Sequence, residues 1–426
     1  MKTLNLSIFS AVKKFRDRLF ICSSKHSDNS DVNTIGYQTT FYKTIEQVPI
    51  EIWDQIANKA NIYFNRNFLR AMEESNTESI ESSYLLLFKE NSPIAIACLQ
   101  IMDFSIQGIV HDCEASKCFI RSVGDKKILV KGGKPLRILI CGNAFVSGEH
   151  GLFIKEEYRN KQTIQELAQS LVLLPQSHHL QKPVNAIVVK DFNTPSLSVM
   201  GHLKQFGYHE FMVEPNMVLH LHPSWNSFEN YLSFMKTKFR TKAKSAFKKS
   251  KELEIKNLTS DEITSLHTQL TDLYRSVEKK AEFNLGVLNL ESYAKLKQQF
   301  GPDFILRSYW LNNEMVGFLS ALVNHGDLDA HFIGLNYKLN KQYAIYQRIL
   351  YDYVNIGIER KLSKINFGRT ASEIKSTLGA TPEELTCYAR HKNPVSNRLV
   401  KPIFNYLRPT SWEQRMPFKE AMMKTS

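Results

Sequence analysis

The residues best suited to chemistry follow a short apolar run near the C-terminus. Arg369 follows the run at 365–367, and Glu373 and Lys375 lie a few residues further on. Arginine and lysine bind phosphate or carbonyl oxygens, and a glutamate acts as a base or orients a neighbouring cation. The alternative for Glu373 and Lys375 is an exposed helix with a weak ion pair. The spacing marks a candidate site for anion binding and proton transfer.

Further candidates lie upstream and downstream of this site. His331 stands among apolar residues, and because imidazole titrates near neutral pH it is a candidate base. A satisfied core histidine is the alternative. Tyr346, Gln347 and Tyr388 are candidate hydrogen-bond donors, although aromatic residues at helical spacing commonly belong to a core.

Hydrophobic periodicity predicts the elements that position these side chains. Alternating residues predict strands, and apolar pairs three or four residues apart predict helices. Gly379 follows the last periodic residue of a helix, where a C-terminal glycine is expected. The predicted order is strands 304–311, 315–323 and 328–335, helix 345–358, strand 365–367, helix 371–378 and strand 385–390.

The first half repeats this order. A hairpin turns at 91–93, and a helix ends at Gly207. Helical segments at 50–74 and 261–300 precede the two halves. The predicted elements of the first half are strands 84–89, 94–104 and 137–145, helix 164–174, strand 186–190, helix 195–206 and strand 217–222.

The repeated order predicts an α/β (α+β) protein of two tandem domains, each a mixed, mostly antiparallel sheet flanked by helices. In each half a helix joins two neighbouring strands, so that pair is expected to be parallel. Parallel neighbours that diverge at one end form a ligand cleft. The expected division is an N-terminal segment at 1–36, domains at 37–223 and 224–410, and a tail at 411–426.

The composition is that of a basic globular protein. Lysine and arginine outnumber aspartate and glutamate by 55 to 42, a formal net charge of +13. This favours an anionic partner: a nucleotide, RNA, an acidic carrier protein or an anionic lipid. The six cysteines lack Cys-x-x-Cys spacing and are expected to be free thiols in a reducing cytoplasm. His220 and His222 have no third ligand at fixed spacing, so no metal is expected.

Two segments concentrate positive charge. Residues 1–20 place apolar residues at helical spacing with lysine and arginine between them, which predicts a basic amphipathic helix on a membrane surface or on the protein itself. Residues 225–253 predict a helix that connects the halves, and 236–251 contain eight basic residues and no acidic one. Arg240 and Lys244 are candidate contacts to a phosphate-bearing substrate or RNA; a solvated helix face is the alternative.

Three stretches carry a resemblance. They are HFIGL at 331–335 continuing into YAIYQRILY at 343–351, FGRTASEIKSTLGA at 367–380, and the connecting helix. Together they resemble the FemAB-like, or peptidoglycan-biosynthesis-like, acyltransferases of the GNAT superfamily, over about residues 40–410. The resemblance implies two GNAT-like domains and transfer of an acyl or aminoacyl group to an amine. Such transfer needs donors for an oxyanion and a base for the amine. The catalytic candidates are His331, Glu373, Lys375 and Tyr388.

The loop expected to hold the donor departs from the GNAT pattern. GNAT acetyltransferases hold the CoA pyrophosphate with a glycine-bearing loop at a helix N-terminus. Here residues 336–342 (NYKLNKQ) contain no glycine, and the glycines at 142, 148 and 151 lack the family spacing. Lysines in the loop are expected to hold phosphate as point charges, and an acyl-carrier protein or aminoacyl-tRNA donor gains weight beside acyl-CoA. The donor-binding candidates are Lys338, Lys341, Tyr346, Gln347, Arg348 and Arg369.

Three functions fit these features. The first is an N-acyltransferase that moves an acyl group from a thioester of CoA or acyl-carrier protein to an amine of an amino acid, amino lipid or sugar. The second is a tRNA-dependent aminoacyltransferase acting on a cell-wall precursor, and the third a non-catalytic protein that binds anionic lipid or RNA. The sequence favours the first, in the cytoplasm, with residues 1–20 as a candidate contact to the inner membrane face.

Overall fold

In a computed structural model, the chain forms two β-sheets and the helices that cover them. The structure describes residues 36–104, 136–174, 182–280, 285–398 and 412–420. The amphipathic helix expected at 1–20 lies outside these residues. Within the described ranges, no helix is both long and apolar enough to cross a membrane.

The first sheet has eight strands. They are β1 (Tyr37–Tyr42), β2 (Glu81–Lys89), β3 (Ser92–Phe104), β4 (Leu136–Cys141), β5 (Leu152–Ile154), β6 (Ala186–Phe192), β7 (His209–Met212) and β15 (Thr386–His391). Their order is β1-β2-β3-β4-β6-β15-β7, with β5 paired to β3. Only β4 and β6 are parallel among these pairs, as the sequence predicted for strands joined through a helix.

The second sheet has seven strands. They are β8 (Asn216–His220), β9 (Glu254–Asn257), β10 (Phe304–Leu311), β11 (Glu314–Asn324), β12 (Asp327–Leu335), β13 (Lys364–Asn366) and β14 (Thr381–Glu383). Their order is β14-β8-β13-β12-β11-β10-β9, and β12 and β13 are the parallel pair. The predicted fold class is confirmed, since both sheets are mixed, mostly antiparallel and flanked by helices.

The two sheets exchange their closing strands. β8 follows the elements of the first half but pairs with β13 and β14 in the second sheet. β15 follows the elements of the second half but lies between β6 and β7 in the first sheet. The assignment of each closing strand to the sheet of its own half was therefore wrong. The exchange ties the chain of each half into the hydrogen bonding of the other.

Twelve α-helices are described, and most lie where the periodicity predicted them. Short 3-10 turns extend or connect several of them, including the one at Ile62–Phe64. The α-helices are α1 (Ile50–Ala57), α2 (Arg66–Ser75), α3 (Lys161–Leu173), α4 (Leu197–Met200), α5 (Phe228–Phe234), α6 (Thr237–Lys249), α7 (Ser260–Ser265), α8 (His267–Glu278), α9 (Glu291–Phe300), α10 (Tyr337–Tyr343), α11 (Ile345–Glu359) and α12 (Ser372–Ser376).

The connecting helix expected at 225–253 is divided into α5 and α6. Met235 is extended, with ψ 146°, and forms a β-bridge with Phe418. The backbone N–H of Lys236 donates to the carbonyl of Pro417 at 2.8 Å. The C-terminal segment thus satisfies the backbone at the point where the helix stops.

One hydrophobic core is shared by both halves. Trp53 and Phe68 of the first half belong to the same buried cluster as Tyr293, Phe304 and Phe318 of the second. Helix α9 packs on α2 inside this cluster. Because burial of apolar surface is the main stabilising term in folding, the shared core joins the two halves into one structure.

Candidate functional site

In each sheet the two parallel strands are paired over a short stretch only. β12 and β13 pair as far as Asp329 and Asn366, and β12 continues to Leu335. β4 and β6 pair as far as Cys141 and Val189. We name the end of the β4–β6 pairing the first fork and the end of the β12–β13 pairing the second fork. A ligand cleft at these positions stays a prediction.

A buried carboxylate lies at the base of the second fork. Asp329 accepts hydrogen bonds from Asn366 Nδ2 at 2.5 Å and from Asn324 Nδ2 at 2.9 Å. Its third donor, at 2.8 Å, is the hydroxyl of Tyr63, which comes from the first half. Three donors around one carboxylate compensate for its burial.

Two histidines flank Tyr63. His331 Nε2 lies 3.0 Å from the Tyr63 hydroxyl oxygen, and the ring centroids of His150 and Tyr63 are 4.1 Å apart. Because the single hydroxyl hydrogen of Tyr63 goes to Asp329, His331 Nε2 must donate the second bond. His331 Nδ1 then carries the free lone pair. Burial lowers the pKa of both histidines to about 4, against the attraction of Asp329, so both rings are neutral at pH 7.

A buried ion cluster lies at the first fork. Lys190 Nζ is 2.5 Å from Asp191 Oδ2 and donates to the carbonyls of Asn143 and Val146. Arg369, in the loop after β13, binds the other Asp191 oxygen. Asp191 is 0% exposed, and burial alone would raise its pKa. The charges of Lys190 and Arg369 outweigh that effect and hold the pKa below its usual value.

Two glycines make room for this cluster. A Cβ atom on Gly142 would lie 2.3 Å from Lys190 Cγ, and one on Gly151 would lie 2.2 Å from the Gly142 backbone. Both distances are far below van der Waals contact. The backbone of Gly151 also accepts from the N–H of Cys98 at 2.8 Å. These glycines of the first half therefore serve close packing at the fork.

His150 links the two polar networks. The charge of Asp329 in one network, and the charges of Lys190 and Asp191 in the other, all act on the pKa of His150. Its Nε2 lies 3.0 Å from the carbonyl of Ser147, which can only accept. Its Nδ1 is buried without a partner among the described residues. The ends of both parallel strand pairs thus contribute to one polar cluster between the halves.

An apolar cavity borders this cluster. It is a small pocket of about 10 Å³, and His331 forms one wall. Other walls come from Phe68, Met72 and Phe145 of the first half and from Phe332 of the second. The neutral imidazole of His331 thus lines a small apolar pocket.

Lys375, predicted as a catalytic cation, is directed at the backbone. Its Nζ donates to the carbonyls of Phe367 at 2.8 Å, Gly368 at 3.1 Å and Arg369 at 2.5 Å. Burial lowers its pKa to about 7, while Glu214 opposes that shift. Lys375 therefore fixes the loop that presents Arg369 to the first fork.

Glu373 and Tyr388 have other surroundings. Glu373 Oε1 accepts from Arg415 Nε at 3.0 Å, near the C-terminus. Tyr388 lies on β15 in the core of the first sheet, with its ring centroid 6.1 Å from that of Phe192. Its hydroxyl is buried without a partner in the described part of the chain, and burial raises its pKa to about 12.

The donor-binding candidates lie on and beside α10. Residues 336–342, expected as a loop, enter this helix, and Ala344 turns the chain into α11 with φ 49°. Lys338, Lys341 and Gln347 are exposed. Tyr346 is half-buried, and its N–H donates to Asn340 Oδ1 at 2.9 Å. Asn340 thus satisfies one N–H group at the start of α11, and the binding of phosphate by Lys338 and Lys341 stays a prediction.

Arg348 is held inside the structure. Its Nε donates to Asp352 at 2.9 Å, and its guanidinium lies 4.5 Å from the ring centroid of Phe247. Its NH1 donates to Ser250 Oγ at 3.3 Å. Arg348 thus joins α11 to α6.

Helix α6 presents its charge to solvent. Among the basic residues from Lys236 to Lys251, all are exposed except Arg240, which is half-buried. No ion pair of the described chain involves them. Ala243 and Ala246 face the core, and the helix packs on α10 and α11. Lys244 and Lys338 therefore belong to two helices that touch.

The described cysteines and acidic groups do not form a metal centre. Cys98, Cys141 and Cys387 are buried free thiols. Within the parts of the chain that the structure covers, no group of three or more His, Cys, Asp or Glu residues is arranged to hold a metal ion. His220 Nε2 instead lies 3.5 Å from Glu383.

The fold is shared with a solved structure. The chain matches the crystal structure of FemX with a TM-score of 0.51 and 10% identity, over 85% of this chain and 100% of that one. The chain therefore shares the fold of that structure, which agrees with the fold that the resemblance implied.

Two further matches have lower TM-scores. A tandem GNAT protein from the clavulanic acid biosynthesis pathway matches at 0.48 with 7% identity, over 84% of this chain and 99% of that one. L-PGS from Bacillus licheniformis matches with a TM-score of 0.45 and 12% identity, over 80% of this chain and 96% of that one. No protein-family model matches the sequence, and neither does any curated protein.

Several residues of the cluster were not found from the sequence. The adjacent charges Lys190 and Asp191 directly follow an apolar strand, which is a signal for a buried ion pair. Asp329 is a carboxylate inside a long apolar strand, which is a similar signal. Tyr63 and His150 show no such sequence signal, because their place in the cluster depends only on the contact between the halves.

Proposed function

We propose that this chain is an enzyme that transfers an acyl or aminoacyl group from an activated donor to an amine, at the polar cluster between the two forks. The observation that carries the proposal is the hydrogen-bonded series Asp329–Tyr63–His331 beside an apolar cavity. A carboxylate, a phenol and a neutral imidazole in series form a chain along which charge can be redistributed during proton transfer.

His331 takes the proton that the attacking amine loses. The amine nitrogen attacks the donor carbonyl carbon, the new C–N bond forms, and the bond to the leaving sulfur or oxygen breaks. The proton passes from the amine to His331 Nδ1 and then to the leaving group. Tyr63 keeps its own proton, since burial raises its pKa well above the usual value. Asp329 stabilises the imidazolium through Tyr63.

Arg369 stabilises the oxyanion on the donor carbonyl. Its Nε is a buried donor without an acceptor among the described residues. Its pairing with Asp191 and the hydrogen bonds of Lys375 to its loop fix the guanidinium in place. A preorganised cation with a spare N–H group is suited to a charge that develops during reaction.

The donor binds through an anionic part on the basic side of the second half. Lys338 and Lys341 on α10 are exposed beside the lysines of α6. A surface of this extent suits a macromolecular donor, such as a charged tRNA or an acidic carrier protein, better than the compact pyrophosphate of CoA.

The proposal is tested by transfer assays with His331→Gln. The protein is incubated with thioester donors or with charged tRNA, each beside a set of amines, and acylated products are followed by mass spectrometry. Transfer that RNase abolishes identifies the tRNA donor, and thiol release identifies the thioester. The substitution removes the base and should lower kcat about 10²- to 10⁴-fold.

The control is His325→Asn, on the turn between β11 and β12. His325 is exposed with φ 48°, a conformation that asparagine tolerates. This variant should transfer at the wild-type rate. Unchanged turnover in His331→Gln would show that His331 is not the base, and inactivity of the wild type toward every donor would refute the proposed reaction.

A further inference from the structure

Helix α12 depends on contacts with other parts of the chain. It has five residues, and Ala371 directly before it has a φ of 50°. Its only apolar side chain, that of Ile374, is 40% exposed, so no apolar side chain of the helix is buried. Isolated helices shorter than about 12 residues are marginal in water. Polar contacts from elsewhere must therefore hold α12, whose Lys375 in turn donates to the carbonyl of Arg369.

The loop between β13 and α12 has an unfavourable backbone conformation. Gly368, Thr370 and Ala371 have φ values of 72°, 66° and 50°. A positive φ is ordinary for glycine, but it is costly for alanine and more so for the β-branched threonine. Such a conformation persists only where its surroundings impose it. The position of Arg369 in this loop therefore depends on the contacts that hold the loop and α12.

Residues 414–419 near the C-terminus, which we name the strap, supply contacts of this kind. The Arg415 N–H donates to Ser376 Oγ at 3.0 Å, and Arg415 Nε donates to Glu373 Oε1 at 3.0 Å. The glutamine of the strap donates through its side chain to the carbonyl of Ala380 at 3.0 Å. The strap thus binds α12 and the turn that follows it.

Phe418 anchors the strap in an aromatic cluster. Its ring centroid lies 5.1 Å from that of Trp225 and 5.8 Å from that of Tyr231. The ring also covers Gly379, which follows α12 with a φ of 100°. A Cβ atom on Gly379 would lie 2.1 Å from a ring carbon, so this contact requires glycine.

The backbone on both sides of Phe418 is bonded to the junction of α5 and α6. The Lys419 N–H donates to the carbonyl of Phe234 at 3.0 Å, and the Lys236 N–H donates to the carbonyl of Pro417 at 2.8 Å. Backbone hydrogen bonds of this kind fix a segment without regular structure of its own. The strap therefore joins the end of α5 and the start of α6 to α12.

We propose that the strap is the positioning element of Arg369, with Phe418 as its anchor. Phe418 holds the strap, and the strap holds α12. Lys375 of α12 then holds the loop in the conformation that pairs Arg369 with the polar cluster. The benefit to the oxyanion rests on the proposed function, whereas the hold on the loop requires neither donor nor acceptor.

The first test is hydrogen exchange of the full chain carrying Phe418→Ala, measured by mass spectrometry. Without the ring the strap loses its anchor, and the amides of α12 should exchange through local opening about tenfold or more faster than in the wild type. Phe41→Ala is the matched control. Phe41 is also a half-buried phenylalanine packed against a core, but it lies on the edge strand β1. In this control α12 should exchange at the wild-type rate.

The second test is a double-variant cycle in the transfer assay, which shows whether the strap acts through Arg369. Phe418→Ala should lower kcat about tenfold or more, because a displaced guanidinium no longer meets the oxyanion. In the Arg369→Gln background the same substitution should change kcat by less than about twofold, since the group that it displaces is already absent. Additive losses would show that Phe418 supports only the fold and would overturn the assignment.

Arg415→Met provides a milder variant if Phe418→Ala does not fold. The Arg415 guanidinium is at the surface, 33% exposed, so its removal leaves the core intact. Exchange of α12 should rise about two- to fivefold, as expected for the loss of a surface ion pair. Exchange at the wild-type rate in Phe418→Ala, or in Arg415→Met where only that variant folds, would overturn the inference.

The outcomes separate this inference from the proposed function. Faster exchange of α12 in a Phe418→Ala protein whose wild type transfers nothing would uphold the hold of the strap and reject the reaction. Unchanged exchange of α12 in a protein whose transfer depends on His331 would uphold the reaction and reject the strap.

Discussion

The two histidines at the forks illustrate how burial sets chemistry at the scale of a residue. His150 and His331 are ordinary imidazoles whose surroundings disfavour the charged form, with folded pKa values of about 4. Asp329 attracts the proton of each ring, yet the cost of desolvating the charged imidazole outweighs that attraction. Because these rings are neutral at pH 7, the free energy of unfolding should depend on pH.

We predict that acid weakens the fold through His331. The unfolded histidine, with a pKa near 6.5, binds a proton before the folded one does. The free energy of unfolding is thus unaffected above about pH 6.5 and falls by about 1.4 kcal/mol per pH unit down to about pH 4. Urea denaturation at pH 7 and pH 5 should show that the wild type loses about 2 kcal/mol more than His331→Gln. Equal losses would mean that His331 binds its proton in the folded state as readily as in the unfolded state.

We also predict that Lys375→Met destabilises the loop of Arg369. Methionine keeps the stem but leaves the carbonyls of Phe367, Gly368 and Arg369 without their donor. The loss should be about 1–3 kcal/mol in chemical denaturation. Lys392→Met, at an exposed position, should change stability by less than about 0.5 kcal/mol. A neutral effect of Lys375→Met would show that water replaces Nζ.

At the scale of elements, periodicity identified the long strands and helices but not their partners. β8 and β15 are apolar and fit either sheet, so the alternation that revealed them says nothing about the exchange. The edge strands β1, β7, β9 and β14 were not predicted, because short strands at an edge need little apolar alternation.

The same limit applies to the candidate site. The sequence placed Arg369 at the end of a short strand and His331 inside a long one, which is where they lie. It did not place Asp191 opposite Arg369, since that contact joins the ends of strands from different sheets. Nor did it show that three carbonyls would surround Lys375. The roles of Glu373 and Tyr388 stay predictions.

The exposed lysines of helix α6 are expected to contact a polyanionic donor. Replacing Lys238, Lys242 and Lys249 by glutamine removes three exposed charges and leaves the buried face intact. If the donor is a polyanion, its KM should rise about tenfold or more at low salt, and the salt dependence of KM should become shallower. The control replaces three exposed lysines elsewhere. They are Lys59, Lys161 and Lys182. Equal effects of the two triple variants would indicate a general charge effect instead of a binding surface.

At the scale of the whole molecule, the exchanged strands and the shared core make the halves interdependent. Without β15, the strands β6 and β7 of the first sheet would lose the partner between them. Without the second half, Trp53 and Phe68 would lose part of the cluster that buries them. Each half therefore completes both the hydrogen bonding and the core of the other.

We accordingly predict that the chain unfolds in one cooperative transition. Hydrogen exchange of amides in β3 and in β11, measured at rising urea, should converge on one free energy of unfolding and one denaturant slope. A fragment of residues 36–223 should show no protected amides in β3, because it lacks β15 and the second half of the shared core. Two separate isotherms, or a fragment that protects β3 as the full chain does, would show that the halves are independent domains joined by a surface contact.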